Sequence, residues 1–112
     1  MSELLATGTD IDEIVIFCKE EDLKNSEYDL SQSGINRFGY QLMGEGNDKD
    51  ALKIFKLNTE LYPNGANTYD SYGECLLKLG LKEEGIKAYK RSLKLDPKNL
   101  NAKRVLEEIK DK

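Results

Sequence analysis

The sequence predicts an all-α protein of about six helices, stacked as helical hairpins in a solenoid. The main observation is an internal repeat in which residues of the same character recur thirty-four positions apart. The clearest matches are Ile35 with Tyr69, Phe38 with Tyr72, Gly39 with Gly73, Leu42 with Leu76, Phe55 with Tyr89, and Pro63 with Pro97. A fixed period of this length is typical of stacked repeats. Between the breaks, apolar residues recur at spacings of three and four, which indicates helices.

The first helix is predicted to start at Thr9 or Asp10 and to end near Asn25. Either residue, with an acid three positions later, resembles a reciprocal N-terminal cap. The helix carries an apolar stripe formed by residues Ile11, Ile14, Val15, Cys18 and Leu23. The other helices are expected at about 32–45, 48–61, 66–79, 82–95 and from residue 99 onward. Gly46 and Gly80 suit the left-handed C-cap that ends a helix, and Pro63 and Pro97 mark the repeat boundaries.

The repeat register divides the chain into four parts. Residues 1–31 form an acidic segment with one helix, which is a degenerate half-repeat or cap. Residues 32–65 are the first repeat, residues 66–98 the second, and residues 99–112 a capping helix. In this last helix Glu107 replaces Gly73 and Lys110 replaces Leu76. Charged residues at these positions suit a helix that has no following repeat to pack against.

Glycine recurs inside the first helix of both repeats, at Gly39 and Gly73. Glycine in a helix interior costs roughly 1 kcal/mol relative to alanine. Its repetition therefore indicates that a partner helix approaches closely at this position. In the first repeat, we expect Ala51 to be the residue that meets Gly39.

Composition excludes several functional classes. The 112 residues carry 17 Lys and Arg against 21 Asp and Glu, a net charge of −4, with the acids concentrated in the first 31 residues. This dispersed charge does not suit nucleic acid, which requires clustered bases. No apolar run is long enough to span a membrane. The N-terminus lacks a secretory signal, so a cytoplasmic location is expected for the chain as given.

No residue set supports catalysis, a metal or a cofactor. The chain has no histidine and two cysteines, which argues against a zinc site, and buried thiols are the expected state of Cys18 and Cys75. Asp70 and Glu74 lie one helical turn apart, but surface acids at this spacing are common. The glycines lack the Lys-Ser/Thr ending of a phosphate-binding loop. We therefore expect a non-catalytic protein.

The repeat resembles the tetratricopeptide repeat. The residues that carry the resemblance are Ile35, Phe38, Gly39, Leu42, Ala51, Phe55 and Pro63 in the first copy, and Tyr69, Tyr72, Gly73, Leu76, Gly85, Tyr89 and Pro97 in the second. The departures are Gly85, where alanine is usual, and Asn58, where the family prefers a small or apolar residue. The resemblance implies a right-handed superhelix that binds a peptide or a protein surface in its concave groove.

The resemblance also implies which residues line that groove, since the first helix of each repeat faces it. Carried over position by position, the groove residues are Asn36, Tyr40, Met43, Asn67, Asp70, Glu74, Leu77 and Lys78, with Asn101, Arg104 and Glu108 from the last helix. Relatives that grip C-terminal carboxylates use paired lysines and asparagines here, and this chain has Tyr40, Asp70 and Glu74 instead. An acidic groove prefers a neutral or basic peptide.

A narrower resemblance concerns the short repeat tails that follow bacterial serine-hydrolase domains of the β-lactamase-like or esterase kind. It rests on phrases such as Tyr28-Asp29-Leu30-Ser31 and Leu61-Tyr62-Pro63. It implies a bacterial origin and a tail that packs on its parent domain, in the periplasm if that enzyme is secreted. The nucleophile motifs of those enzymes are missing here. Self-association as a homodimer is a further alternative, favoured if the N-terminal stripe fails to dock on the second helix.

Overall fold

A computed structural model of the chain describes residues 10–20 and 29–110 and places six α-helices in them. They are α1 (Ile11–Glu20), α2 (Gln32–Gly44), α3 (Asp48–Leu61), α4 (Ala66–Lys78), α5 (Lys82–Leu95) and α6 (Leu100–Lys110). The predicted all-α solenoid is confirmed, and no strand occurs within the described ranges. The bounds of α3 and α5 are those predicted. Thr9, Leu23 and the predicted end of the first helix near Asn25 lie outside the described residues.

The helices pack in chain order as two hairpins. α2 packs on α3, α4 packs on α5, and the α3–α4 contact joins the two hairpins. α6 lies against α5 at the C-terminal end of the stack. One buried apolar cluster runs through α1 to α4, and its larger members are Ile14, Leu30, Ile35, Leu42, Ile54, Phe55 and Leu57. None of the helices in these ranges is long and apolar enough to cross a bilayer.

The predicted glycine breaks are confirmed by backbone geometry. Gly46 and Gly80 have φ angles of 85° and 81°, in the left-handed region that glycine adopts without a Cβ penalty. At the other end of α2, the Ser31 hydroxyl accepts a hydrogen bond from the Gly34 amide at 3.0 Å. Asn47 occupies the N-cap position of α3 without a capping bond from its side chain.

Glycine allows an aromatic ring of the second helix to pack directly on the backbone of the first. A Cβ on Gly39 would lie 2.5 Å from the Phe55 ring, and one on Gly73 would lie 2.8 Å from the Tyr89 ring. The predicted close approach is therefore present in both repeats. In the first repeat the nearest atoms belong to Phe55, one helical turn beyond the predicted partner Ala51.

A buried polar residue ties the two helices of each repeat together in the same way. The Asn58 amide donates to the Gln32 carbonyl at 3.0 Å, and the Ser92 hydroxyl donates to the Ala66 carbonyl at 2.8 Å. Each acceptor is the first residue of its hairpin. Asn58 departs from the family pattern in residue type, but it provides the bond that Ser92 provides thirty-four positions later.

The N-terminal helix docks on α3. Ile11, Ile14 and Cys18 are buried against the core, and α1 packs chiefly on α3. Two exposed ion pairs flank the contact, Asp12 with Lys53 at 2.9 Å and Lys19 with Glu60 at 3.1 Å. The apolar stripe that would favour self-association is covered within the chain by this docking.

Both cysteine thiols are buried and neither forms a disulfide. The Cys75 thiol donates a weak hydrogen bond to the Asp48 carbonyl at 3.5 Å. Burial, together with the nearby charge of Asp48, raises the pKa of Cys75 to about 11. The thiolate is the reactive form, so Cys75 is an inert packing residue at neutral pH.

We predict that Gly73→Ala lowers the free energy of unfolding by about 1–3 kcal/mol, because the added methyl must displace the Tyr89 ring. Urea denaturation followed by circular dichroism measures the change. Gly44→Ala is the matched control. No atom lies within 4 Å of its added Cβ, so alanine there should be neutral or stabilising by up to about 1 kcal/mol. Equal effects of the two variants would contradict the close packing of Gly73.

A second pair of variants tests the docking of α1. Ile14→Ala removes a fully buried side chain and should destabilise the protein by about 2 kcal/mol or more. Ile16→Ala changes the same residue type two positions away, where the side chain is 56% exposed, and should change stability by less than about 0.5 kcal/mol. The same urea experiment compares them. A neutral Ile14→Ala would show that α1 does not pack on α3.

Candidate functional site

Tyr40 connects the first helices of the two repeats. Its hydroxyl donates a hydrogen bond to Glu74 Oε1 at 3.0 Å and lies 3.3 Å from Ser71 Oγ. Its ring meets the edge of Phe55 in a T-shaped arrangement, with centroids 5.1 Å apart. The side chain remains 36% exposed. Tyr40 is thus fixed in orientation on the core side and open to solvent on the other.

Asp70 connects α4 to the last helix. Its carboxylate accepts hydrogen bonds from the Asn99 amide at 2.9 Å and from the Asn101 amide at 2.9 and 3.2 Å. The Arg104 guanidinium donates to Asn101 Oδ1 at 2.9 Å. Asn99 also caps α6, since its Oδ1 accepts from the Ala102 amide at 3.1 Å. These bonds hold α6 against the face of α4 that carries Asp70.

These residues form two hydrogen-bonded groups that share α4, and together they are here called the concave network, after the groove that the family resemblance implies. Its members are Tyr40, Asp70, Ser71, Glu74, Asn99, Asn101 and Arg104. The repeat explains the alignment, because Tyr40 and Glu74 are equivalent positions thirty-four residues apart, as are Asp70 and Arg104. Stacking of the repeats therefore brings equivalent positions of successive first helices side by side.

The concave network carries two carboxylates that no described cation neutralises. Asp70 and Glu74 accept hydrogen bonds from amide and hydroxyl groups only, and neither forms an ion pair within residues 10–20 or 29–110. Arg104 is directed to the Asn101 carbonyl oxygen instead of to Asp70. The face between Tyr40 and Asp70 is consequently acidic, and it attracts positively charged or hydrogen-bond-donating groups.

Tyrosine hydroxyls near this face stay protonated at neutral pH. Burial is the largest cause that raises the pKa of Tyr40 to about 12, and the charge of Glu74 adds to it. Burial, and then the charges of Asp70 and Glu74, raise the pKa of Tyr89 as well. A protonated Tyr40 is the donor that its bond to Glu74 requires.

The other predicted groove residues lie elsewhere or make no described contact with the concave network. Met43 is 8% exposed and belongs to the core. Leu77 packs against Gly85 of α5, where an added Cβ would lie 2.6 Å from its side chain. Lys78 pairs with Asp48 at 3.2 Å, which directs it toward the start of α3. Asn36 is partly buried and Asn67 is exposed.

Two members of the concave network were not predicted from the sequence as site residues. Ser71 is buried beside Tyr40, and its role depends on the stacking of α2 on α4. Asn99 was predicted only to start the last helix. The signal for its second role was weak, because only the fold shows that a capping side chain also reaches Asp70.

No cluster of three or more potential metal ligands occurs among the described residues. The hydroxyl of Ser71 faces Tyr40, and the chain contains no histidine that would activate it. The arrangement offers donors, acceptors and an aromatic edge on an open surface. Groups of these kinds can form hydrogen bonds and aromatic contacts with a ligand.

Comparison with known families agrees with the fold. Residues 66–99 match the model of the tetratricopeptide repeat family. The match begins at the first residue of α4 and ends at Asn99, and thus covers the second hairpin. The hairpin α2–α3 precedes it in the same order, and the fold of the described residues is consistent with a tetratricopeptide-like helical solenoid. Such repeats are typically non-catalytic and generally mediate protein–protein interaction.

No curated protein matches the chain at a significant level. The narrower resemblance to the tails of bacterial serine hydrolases stays a prediction.

We predict that Tyr40 titrates near pH 12, well above its ordinary value near 10. Because its pKa is raised in the folded state, its contribution to stability is complete below pH 10 and is lost as the pH rises through about 12. The ultraviolet difference titration between the parent chain and Tyr40→Phe isolates this one phenol among six tyrosines. Titration of that phenol near pH 10 would contradict the hydrogen-bonded placement of Tyr40.

Proposed function

We propose that this chain is a non-catalytic interaction module that binds a neutral or basic peptide, or a similar protein surface, along the concave network. The observation that carries the proposal is the pair Asp70 and Glu74, which hold hydrogen bonds from Tyr40 and Asn101 but no counter-charge from the described residues. A lysine or arginine of a ligand would supply that charge.

The geometry of the face supports a peptide more than a small molecule. The network extends over three helices, whereas small-molecule sites are enclosed pockets that bury most of their ligand. Tyr40 presents a rigid ring with a fixed hydroxyl, a type of side chain that is enriched at interfaces. Asn101 and Arg104 extend the polar surface along α6. An extended segment that lies across α2, α4 and α6 would meet each of these groups in turn.

The proposal predicts that positively charged peptides bind more strongly than neutral or acidic ones. An array of dodecamer peptides with graded net charge is probed with the fluorescently labelled chain, and the strongest ligands are measured again by fluorescence anisotropy. We expect the strongest binders to carry lysine or arginine. The double variant Asp70→Asn with Glu74→Gln keeps the side-chain shapes and removes both charges. It should weaken binding about five- to tenfold, since exposed charge pairs contribute up to about 1 kcal/mol each.

The matched control is Glu45→Gln with Glu83→Gln. It makes the same change in net charge at two exposed positions outside the concave network and should leave the affinity within about twofold. Equal loss in both double variants would show that ligands respond to the net charge of the chain and would reject the concave network as the site.

A further inference from the structure

Each repeat has apolar residues along the seam between its two helices, here called its groove, and in the first repeat α1 packs on α3 beside this seam. The apolar residues of this first groove are Ile35, Phe38, Leu42, Ile54 and Leu57. They share one buried cluster with Ile11, Ile14 and Cys18 of α1. Ile54 and Leu57 are 0% and 1% exposed, and both lie on the helix against which α1 packs.

The second repeat has the same groove without an occupant from the described residues. A cavity of about 300 Å³ is lined there by Tyr69, Tyr72, Leu76, Glu84, Lys87, Ala88 and Arg91. Every one of these positions follows its counterpart in the first groove, or its flank, by thirty-four residues. We call this cavity the second groove. Tyr69 and Tyr72 lie on the face of α4 opposite to Asp70 and Glu74, since an α-helix turns once in 3.6 residues. The second groove is therefore separate from the concave network.

The charged side chains that differ between the two grooves indicate which charge a ligand of the second groove should carry. In the first groove, Lys53 pairs with Asp12 of α1 at 2.9 Å, and Glu60 pairs with Lys19 at 3.1 Å. In the second, the counterpart of Lys53 is Lys87, and the counterpart of Glu60 is Lys94. Both are exposed and neither forms an ion pair with a described residue. An occupant of the second groove therefore meets a base at each end.

Arg91 adds to this positive charge in the middle of the groove. It replaces the apolar Leu57, and its guanidinium lies 5.7 Å from the centroid of the Tyr69 ring. Ala88 replaces the larger Ile54 and leaves room for a side chain from outside. The second groove thus keeps an apolar floor of two tyrosines and a leucine, and its lining carries two bases, Lys87 and Arg91, against one acid, Glu84.

We propose that the second groove binds an acidic amphipathic helix of another protein, which would pack on α5 as α1 packs on α3. The helix carries an apolar stripe at the spacing of Ile11, Ile14 and Cys18, with acids at the positions of both Asp12 and Lys19. A second copy of this chain is a poorer occupant, because its Lys19 would face Lys94. This site is independent of the peptide-binding function proposed for the concave network.

The probe for this site is a synthetic, end-blocked, fluorescently labelled peptide of residues 10–20 that carries Cys18→Ser and Lys19→Glu. Its binding to the full-length chain is measured by fluorescence anisotropy. We expect the Lys19→Glu change to improve affinity over the peptide that retains Lys19. Lys87→Glu in the chain should weaken binding about tenfold, and Ala88→Ile, which restores the residue of the first groove, should strengthen it.

Controls separate the second groove from the two other sites. Lys53→Glu alters the first groove and should leave binding of the probe unchanged. The Asp70→Asn with Glu74→Gln variant should also leave it unchanged, so this proposal and the function proposed for the concave network fail separately. Within the probe, Ile14→Asp should abolish binding, whereas Ile16→Asp, outside the stripe, should not.

Three results would overturn the proposal. The first is that the probe does not bind. The second is that binding of the probe responds to Lys53→Glu and not to Lys87→Glu, which would mean that the probe exchanges with α1 on α3. The third is a concentration-dependent dimer of the chain, seen by light scattering after size-exclusion chromatography, that Lys87→Glu abolishes. In that case the occupant would be a second copy of the chain.

Discussion

The contact between a helical glycine and an aromatic ring holds each hairpin of this protein together. Gly39 receives the ring of Phe55, and Gly73 receives that of Tyr89. Because the ring lies directly on the backbone, the axes of the two helices approach closely and their crossing is fixed. The hydrogen bonds from Asn58 and Ser92 to the first residue of each hairpin then set the register along the axes. A buried donor without its acceptor would cost about 1–3 kcal/mol, so both bonds specify one arrangement.

The two surfaces with functional potential follow from that arrangement. Stacking one hairpin on the next places Tyr40 beside its equivalent, Glu74, and brings Asp70 within hydrogen-bond distance of Asn101 on the following helix. The same stacking leaves, on the other side of each hairpin, a groove between its two helices. The concave network and the grooves therefore both follow from the repetition of one helical hairpin along the chain.

Differences between the repeats give the two ends of the molecule different properties. The first repeat has apolar Ile54 and Leu57 where the second has Ala88 and Arg91, and α1 packs on the helix that carries the former pair. At the C-terminal end, α6 is held by the bonds of Asn99 and Asn101 to Asp70. Helix α1 is thus held mainly by the burial of its apolar side chains. Helix α6 is held in part by hydrogen bonds between polar side chains. None of the described helices covers the second groove.

The sequence by itself determined the helices, the repeat and the positions of close packing. The thirty-four-residue period, the glycines with positive φ at 46 and 80, and the helical glycines at 39 and 73 are local or periodic signals, and they predicted α3 and α5 to the residue. Only the tertiary structure decided which side chains meet. In the structure Met43 lies in the core, Lys78 pairs with Asp48, and α1 packs on α3. Contacts between helices depend on the rotation and offset of one helix against another, and a one-dimensional pattern does not contain these quantities.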